Sequence, residues 1–308
     1  MRIFPPVRNK SPLFVTFSLN GSFLKVIVIM HKGLCKICLT AIWLVGEARR
    51  GFTMENGGYK ESFARKETKY HVPSGTYEKL LDELKAYVKP DVYGDTRIFN
   101  IYYDTPDYRL IRKSIEKPIY KEKLRLRTYK VPDAETSAFV EIKKKYEGIV
   151  YKRRISLPYG EAKRHLDLGI PFQELERDIL DETVSFTDVQ IENEINSMMK
   201  LYKRLRPGMI ISYDRLAFQG IEDPGFRVTF DKNIRWRDRD MDLKSGGYGS
   251  LILPEEDRLM EIKIAGSMPI EISHILSRLN IYRTSFSKYG RGYAEKLVNE
   301  RRGTRKYA

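Results

Sequence analysis

Lys123-Leu124-Arg125-Leu126-Arg127 alternates a cation with a leucine at every step. Successive side chains of a β-strand point to opposite faces, so as a strand this stretch presents one basic row and one apolar row. The same split recurs outward along the chain. Phe139-Val140-Glu141-Ile142-Lys143 sets Glu141 and Lys143 against Val140 and Ile142. Residues 150–157 put Lys152 and Arg154 on one side, and 226–231 put Arg227, Thr229 and Asp231 opposite Val228 and Phe230. Glu261 and Lys263 oppose Met260, Ile262 and Ile264, and the first such stretch, 63–72, carries Arg65, Glu67 and Lys69 in one row.

One strand of this kind is an ordinary solvated face of an antiparallel sheet. Six of them, biased to Lys and Arg, would repel one another across neighbouring strands, and a polyanion would compensate that charge. Further strands are expected at 97–104 and 209–215, giving eight in all on a loose count, and helices at 74–88, 188–205 and 269–279. Ser74 is expected to cap the first helix after Pro73 stops the first strand. The expected fold class is α+β, an eight-stranded antiparallel β-barrel with helices packed outside. With the apolar rows turned out beneath the helices, the charged rows line a tunnel, a shape that suits a linear, unbranched anion.

Composition agrees with a basic globular chain. Hydrophobic residues make up 42% and aromatic residues 12% of the 308, which excludes a disordered polypeptide. Lys and Arg total 56 against 41 for Asp and Glu, a net charge of +15, and this excess points to nucleic acid, acidic lipid or phosphates as partner. Base stacking needs aromatics interleaved with the basic row, whereas here the cations alternate mainly with Leu, Ile and Val, which speaks against nucleic acid.

Residues 1–53 read differently. They carry eight basic residues and a single acid, Glu47, together with both cysteines, Cys35 and Cys38. His31 lies near that Cys-x-x-Cys pair, but no second ligand pair exists in the sequence, so a zinc knuckle is not the expected reading. The absence of cysteine after Cys38 fits a reducing, cytoplasmic setting. The apolar runs at 23–30 and 37–45 are too short to span a bilayer. We read 1–53 as a leader outside the domain, containing no strand of it, with translation starting at Met54. A polar lead-in at 54–61, the main domain at 62–296 and a basic tail at 297–308 complete the organisation.

Six stretches taken in order resemble one family. They are Phe63-Ala-Arg-Lys-Glu-Thr-Lys-Tyr70, Tyr102-Tyr-Asp-Thr-Pro-Asp-Tyr108, 123–127, 139–143, Tyr151-Lys-Arg-Arg-Ile155 and Met260-Glu-Ile-Lys263. Over about residues 62–296 the chain resembles the vacuolar transporter chaperone (VTC) domain, of the triphosphate tunnel metalloenzyme (CYTH-like) group. The resemblance implies an eight-stranded tunnel that makes polyphosphate from ATP with a divalent metal, typically Mn²⁺, or Mg²⁺. It implies phosphate-binding roles for Lys69, Arg125, Arg127, Lys143, Lys152, Arg154, Arg215, Arg227 and Lys288, and a metal role for Glu261. Arg65, Lys123 and Lys263 join the substrate-binding set through their rows. The chain has Arg65-x-Glu67-x-Lys69 where the group usually has Glu-x-Glu-x-Lys. It carries no SPX-like sensor domain and no transmembrane bundle, so membrane association would require a partner.

The chemistry expected is phosphoryl transfer, for which positioning and charge compensation supply most of the catalysis. Arg125, Arg127 and Lys152 are expected to hold the triphosphate, with the metal on Glu261 and the growing chain as acceptor. No Walker loop, kinase-type glycine loop or Ser-His-Asp order appears, and the cluster Gly246, Gly247 and Gly249 reads as a loop. The alternatives are a tunnel triphosphatase and a non-catalytic polyanion or nucleic-acid binder.

Overall fold

The computed structural model describes residues 13–19, 22–31, 34–37 and 66–305, apart from 148 and 173–185. The chain divides into two units, Met1–Glu61 and Ser62–Ala308. In the first unit β1 (Leu13–Leu19), β2 (Ser22–His31) and β3 (Leu34–Ile37) form an antiparallel sheet of their own, in that order. The apolar run at 23–30 lies in β2, paired with β1 over 22–28 and with β3 over 28–31. Cys38, Met54 and Arg65 lie outside the described residues, as does the whole of the 54–61 lead-in.

In the second unit the elements run β4 (Lys66–Val72), α1 (Ser74–Leu84), β5 (Val88–Asp104), α2 (Arg109–Ile115), β6 (Tyr120–Thr128), β7 (Ser137–Tyr146), β8 (Ile149–Pro158), α3 (Tyr159–Leu168), α4 (Phe186–Tyr202), β9 (Arg206–Gly220), β10 (Arg227–Arg237), β11 (Ser250–Leu251), β12 (Arg258–Ile264), α5 (Ile270–Arg278) and α6 (Lys288–Arg305). One antiparallel sheet has the order β4-β12-β10-β9-β5-β6-β7-β8, with β11 added to β10. Among the described residues no ladder joins β4 to β8, so the sheet is open rather than a closed barrel. The outer edge of β4 is already in use: Thr284 N–H donates to the Lys69 carbonyl at 2.7 Å and Arg283 bridges Tyr70. A strand edge occupied in this way has no free ladder to offer β8.

The apolar rows are the core. Leu124, Leu126, Val140 and Ile142 are buried beneath α3 and α4, against Ala162, Leu166, Ile191, Ile195 and Met198. Val228, Phe230, Met260 and Ile262 are buried beneath α1 and α5, against Leu80, Leu84, Ile272 and Leu276. Each such side chain contributes about 1.5–3 kcal/mol on burial, so strand faces with this composition cannot be turned to water cheaply. Ser74 is not the cap of α1; it is the first helical residue, and its N–H donates to Asp257 Oδ1 at 3.2 Å. The opposite face is half covered: Phe286 and, from α6, Tyr289 and Tyr293 pack on Ile98, Tyr102, Ile211 and Trp236. The basic tail foreseen at 297–308 is largely a continuation of α6.

Three helices escape the sequence reading, α2, α3 and α6. α2 is tied down by one of the stretches that carry the family resemblance: Asp104, fully buried, accepts from the backbone N–H groups of Thr105, Leu110 and Ile111 and from the Tyr289 hydroxyl. The glycine cluster closes a turn against β10, where a Cβ at Gly249 would meet the Trp236 carbonyl at 2.3 Å. Among the described residues no helix is long and apolar enough to cross a membrane.

Candidate functional site

The charged rows converge on one face because their strands are neighbours in register. Glu261 pairs with Lys69 on β4 and Thr229 on β10, Asp231 pairs with Arg215 on β9, and Tyr102 on β5 pairs with Arg125, which pairs with Glu141 on β7. The sheet curls enough that Glu67 and Lys69 of β4 act electrostatically on Lys143 of β7, although five strands lie between them in the sheet order. The segment entering α6 crosses this face: Lys123 Nζ donates to Ser287 Oγ at 3.1 Å and Lys69 Nζ to the Phe286 carbonyl at 3.2 Å.

Three buried carboxylates organise most of the cations. Glu141, with a side chain 1% exposed, takes Arg125 Nε at 2.5 Å, Lys152 Nζ at 2.8 Å and Arg127 Nε at 3.7 Å. Burial opposes its ionisation, yet Arg125, Arg127 and Lys152 hold it well below the usual carboxylate range. Asp231, wholly buried, takes Arg215 through both Nε and Nη2, at 2.6 and 2.8 Å, and Lys288 Nζ at 2.5 Å. Its carboxyl is likewise lowered against burial by Arg215 and Lys288. Glu261 takes Lys263 Nζ at 2.7 Å and Lys69 Nζ at 3.8 Å, and Lys69 also reaches Glu67 at 3.2 Å. Burial opposes ionisation of Glu261 too, and Lys263, Lys69, Arg215 and Lys288 outweigh it.

Not every cation of these rows has a carboxylate. Among the described residues no carboxylate lies within ion-pair distance of Lys123 or Lys143, both half-buried. Burial, reinforced by Lys143, Lys121 and Lys69, pushes the Lys123 ammonium down to about 8, with Tyr102 opposing. Lys143 is lowered chiefly by burial, with Lys69 and Arg125 adding to it. Lys152 is also pushed to about 8, first by burial and then by Arg125 and Arg127 against the pull of Glu141. A half-buried cation with no carboxylate at ion-pair distance is electrostatic work only partly compensated, and an anion seated beside it would complete the balance.

Of the residues named from sequence, Lys69, Lys123, Arg125, Arg127, Glu141, Lys143, Lys152, Arg215, Glu261, Lys263 and Lys288 therefore share this face. Arg227 is tied to Asp91 of β5 by an ion pair, and Arg154 lies over the Phe139 ring at 4.6 Å. Arg65 lies outside the described residues. The sequence reading missed the tyrosines: Arg125 Nη1 donates to Tyr102 Oη at 3.2 Å, and Arg127 Nη2 donates to Tyr213 Oη at 3.1 Å. The signal was available in the strand rows, since Tyr102 and Tyr213 alternate with core residues, but their cross-strand partners are set by register.

The donor set near Glu261 bears on metal binding. Among the described residues no three of His, Cys, Asp and Glu are grouped as a cage. The hydroxyl of Thr229, cross-strand partner of Glu261, is buried without a hydrogen-bond partner. A carboxylate beside an unspent hydroxyl suits a hard cation that draws its remaining oxygens from phosphate. A surface cavity of about 590 Å³ opens on the other face between α4 and β6, where Tyr120 and Tyr202 both spend their hydroxyls on Glu122.

A family model described as the VTC domain matches residues 64–296. Among solved structures, a presumed adenylate cyclase from Vibrio parahaemolyticus is 14% identical, with 77% of this chain and 99% of that chain covered, at a TM-score of 0.36. A presumed adenylyl cyclase from Hippeastrum, described as having a dominant triphosphatase activity, is 15% identical over 74% of this chain and 95% of its own, at 0.42. The Schizosaccharomyces pombe Mediator head module gives 14% identity, 70% and 91% coverage, and 0.33. At TM-scores this low the likenesses bear no functional reading. No curated protein matches the sequence.

Proposed function

We propose that this chain, which belongs to the VTC domain family, is a polyphosphate polymerase that moves the γ-phosphoryl group of ATP onto the end of a phosphate chain held on the basic face. The observation that supports this reading most is the pair Lys123 and Lys143, half-buried cations for which the described residues supply no carboxylate. A linear polyanion, with a charge on every phosphate, fits a row of such sites along a curled sheet better than a compact anion does.

Arg125 and Arg127 would grip phosphate oxygens through planar guanidinium contacts, held in place by Glu141 and by the Tyr102 and Tyr213 hydroxyls. Lys123, Lys143 and Lys152 would act as point charges along the triphosphate. In the transfer the bond from the γ-phosphorus to the β,γ-bridging oxygen breaks, a bond to a terminal oxygen of the chain forms, and ADP leaves with the bridging oxygen. The acceptor oxygen belongs to the substrate, so no protein nucleophile is required. Lys69, raised because Glu261 and Glu67 outweigh the burial that would lower it, stays charged beside the leaving phosphates. Glu261 with Thr229 would hold a divalent cation, Mn²⁺ or Mg²⁺, which supplies charge neutralisation to the phosphates when bound. Tyr102 and Tyr213 are buried edge to core and unavailable to stack on bases, which disfavours a nucleic-acid ligand.

Incubating the full chain with ATP and Mn²⁺ and sizing the phosphate products tests the assignment. Chains longer than the input phosphate are expected. Release of orthophosphate without chain growth would assign a tunnel triphosphatase instead.

A further inference from the structure

We propose that Tyr102 is a further substrate-contacting residue of the basic face, a donor whose phenolic proton goes to a phosphate oxygen of the bound chain. This deepens the phosphate-chain reading and rests on it. Tyr102 is 7% exposed and pairs across the ladder with Arg125. Its ring is stacked on Tyr289, with centroids 4.6 Å apart and 17° between the planes, which fixes where the hydroxyl points. That hydroxyl accepts from Arg125 Nη1 at 3.2 Å, and among the described residues its own proton has no acceptor. The stacked neighbour shows the contrast: the Tyr289 hydroxyl donates to Asp104 Oδ2 at 2.8 Å.

The groups facing Tyr102 are Arg125, Lys123 and Arg127 from β6, Lys69 from β4 and the Tyr289 ring from α6. A phenol surrounded by cations and lacking an acceptor has two ways to settle: it loses its proton, or it gives that proton to an arriving anion. Burial opposes ionisation, but Arg125, Lys123 and Arg127 overcome it and bring the phenol down to about 7. In the free protein above neutral pH the phenolate therefore serves as the counter-charge of the empty site. When phosphate oxygens take over the cations, the phenolate oxygen takes a proton from solvent and donates it to the phosphate; no bond to phosphorus changes in this step.

The test uses the full chain at pH 8 with tripolyphosphate as the probe. Tyrosinate absorbance and binding heats in two buffers of different ionisation enthalpy are followed for wild type, Tyr102→Phe and Tyr213→Phe. Wild type should show a tyrosinate band that tripolyphosphate removes, with net proton uptake. Tyr102→Phe should lack the band and bind about tenfold more weakly, the loss of one hydrogen bond to a charged acceptor. Tyr213→Phe should keep the band, and its disappearance there would overturn the assignment even if Tyr102→Phe did not fold. A band unaffected while tripolyphosphate binds, or one still present in Tyr102→Phe, would overturn the role of Tyr102 and leave the phosphate site standing. Failure of wild type to bind tripolyphosphate at all would overturn both.

Discussion

Replacing Lys123 by arginine and following tripolyphosphate affinity from pH 7 to pH 9 isolates the electrostatic work stored on the basic face. The Lys123 ammonium lies at about 8, pushed there first by burial and then by Lys143, Lys121 and Lys69. Phosphate binds the charged form, so affinity falls as the free protein loses that proton. About a tenth of Lys123 is neutral at pH 7 and about nine-tenths at pH 9, which weakens binding about tenfold, or about 1.4 kcal/mol. Arginine stays protonated across the interval, so Lys123→Arg should lose about tenfold less affinity than wild type between the two pH values, whatever its affinity at pH 7. Lys152 adds a smaller share, because its side chain is 43% exposed and solvent screens it. Stability runs the other way. A lysine depressed in the folded state destabilises the free protein below about 8, and that cost is relieved as pH rises toward its unfolded value, so free-protein stability gains where phosphate binding loses. Calorimetric titration at several pH values decides the matter. Parallel pH dependences for wild type and Lys123→Arg would refute the claim that Lys123 is an uncompensated cation of the site.

Asp231→Asn leaves Arg215 and Lys288 without their buried counter-charge, and should destabilise the fold by about 3–5 kcal/mol, lowering the melting midpoint by roughly 6–20 °C for a chain of this size. Because the Asp231 carboxyl is depressed, its contribution is present above the unfolded carboxylate value of about 3.9 and is lost as pH falls below it; a melt shifted by less than 2 °C at pH 7 would count against the hub. Arg125→Ala should weaken tripolyphosphate binding by about 1.5–3 kcal/mol, whereas Lys200→Ala, exposed on α4, should leave it unchanged; equal affinities remove Arg125 from the site. Glu261→Gln should still bind ATP but require more Mn²⁺ for product formation, and superimposable Mn²⁺ curves for the two proteins would sink the metal assignment.

Which side chains share a face was determined by the sequence alone, because strand alternation is local: the Leu and Ile of 123–127, 139–143 and 260–264 had to go one way and the cations the other. Their burial beneath helices follows from composition. The family resemblance, too, was legible in short stretches, and the match over 64–296 bears it out. What each cation is worth was not legible, since that depends on the neighbour it meets. Glu141 reads as one more charge in its row, yet register sets it opposite Arg125, and the ion pairs it takes from Arg125 and Lys152 make it their anchor. Lys123 and Lys143 read like the other lysines, and only the tertiary structure decides that Lys123 meets Ser287 and that Lys143 feels Glu67 without an ion pair to it. Asp104 reads as part of a stretch that carries the family resemblance, and its carboxylate takes the first-turn N–H groups of a helix the sequence did not announce. The occupied edge of β4, and with it the open sheet, was decided by Arg283 and Thr284, some 210 residues away in the chain, because a hydrogen-bonded edge is a property of whatever the tertiary structure brings to it.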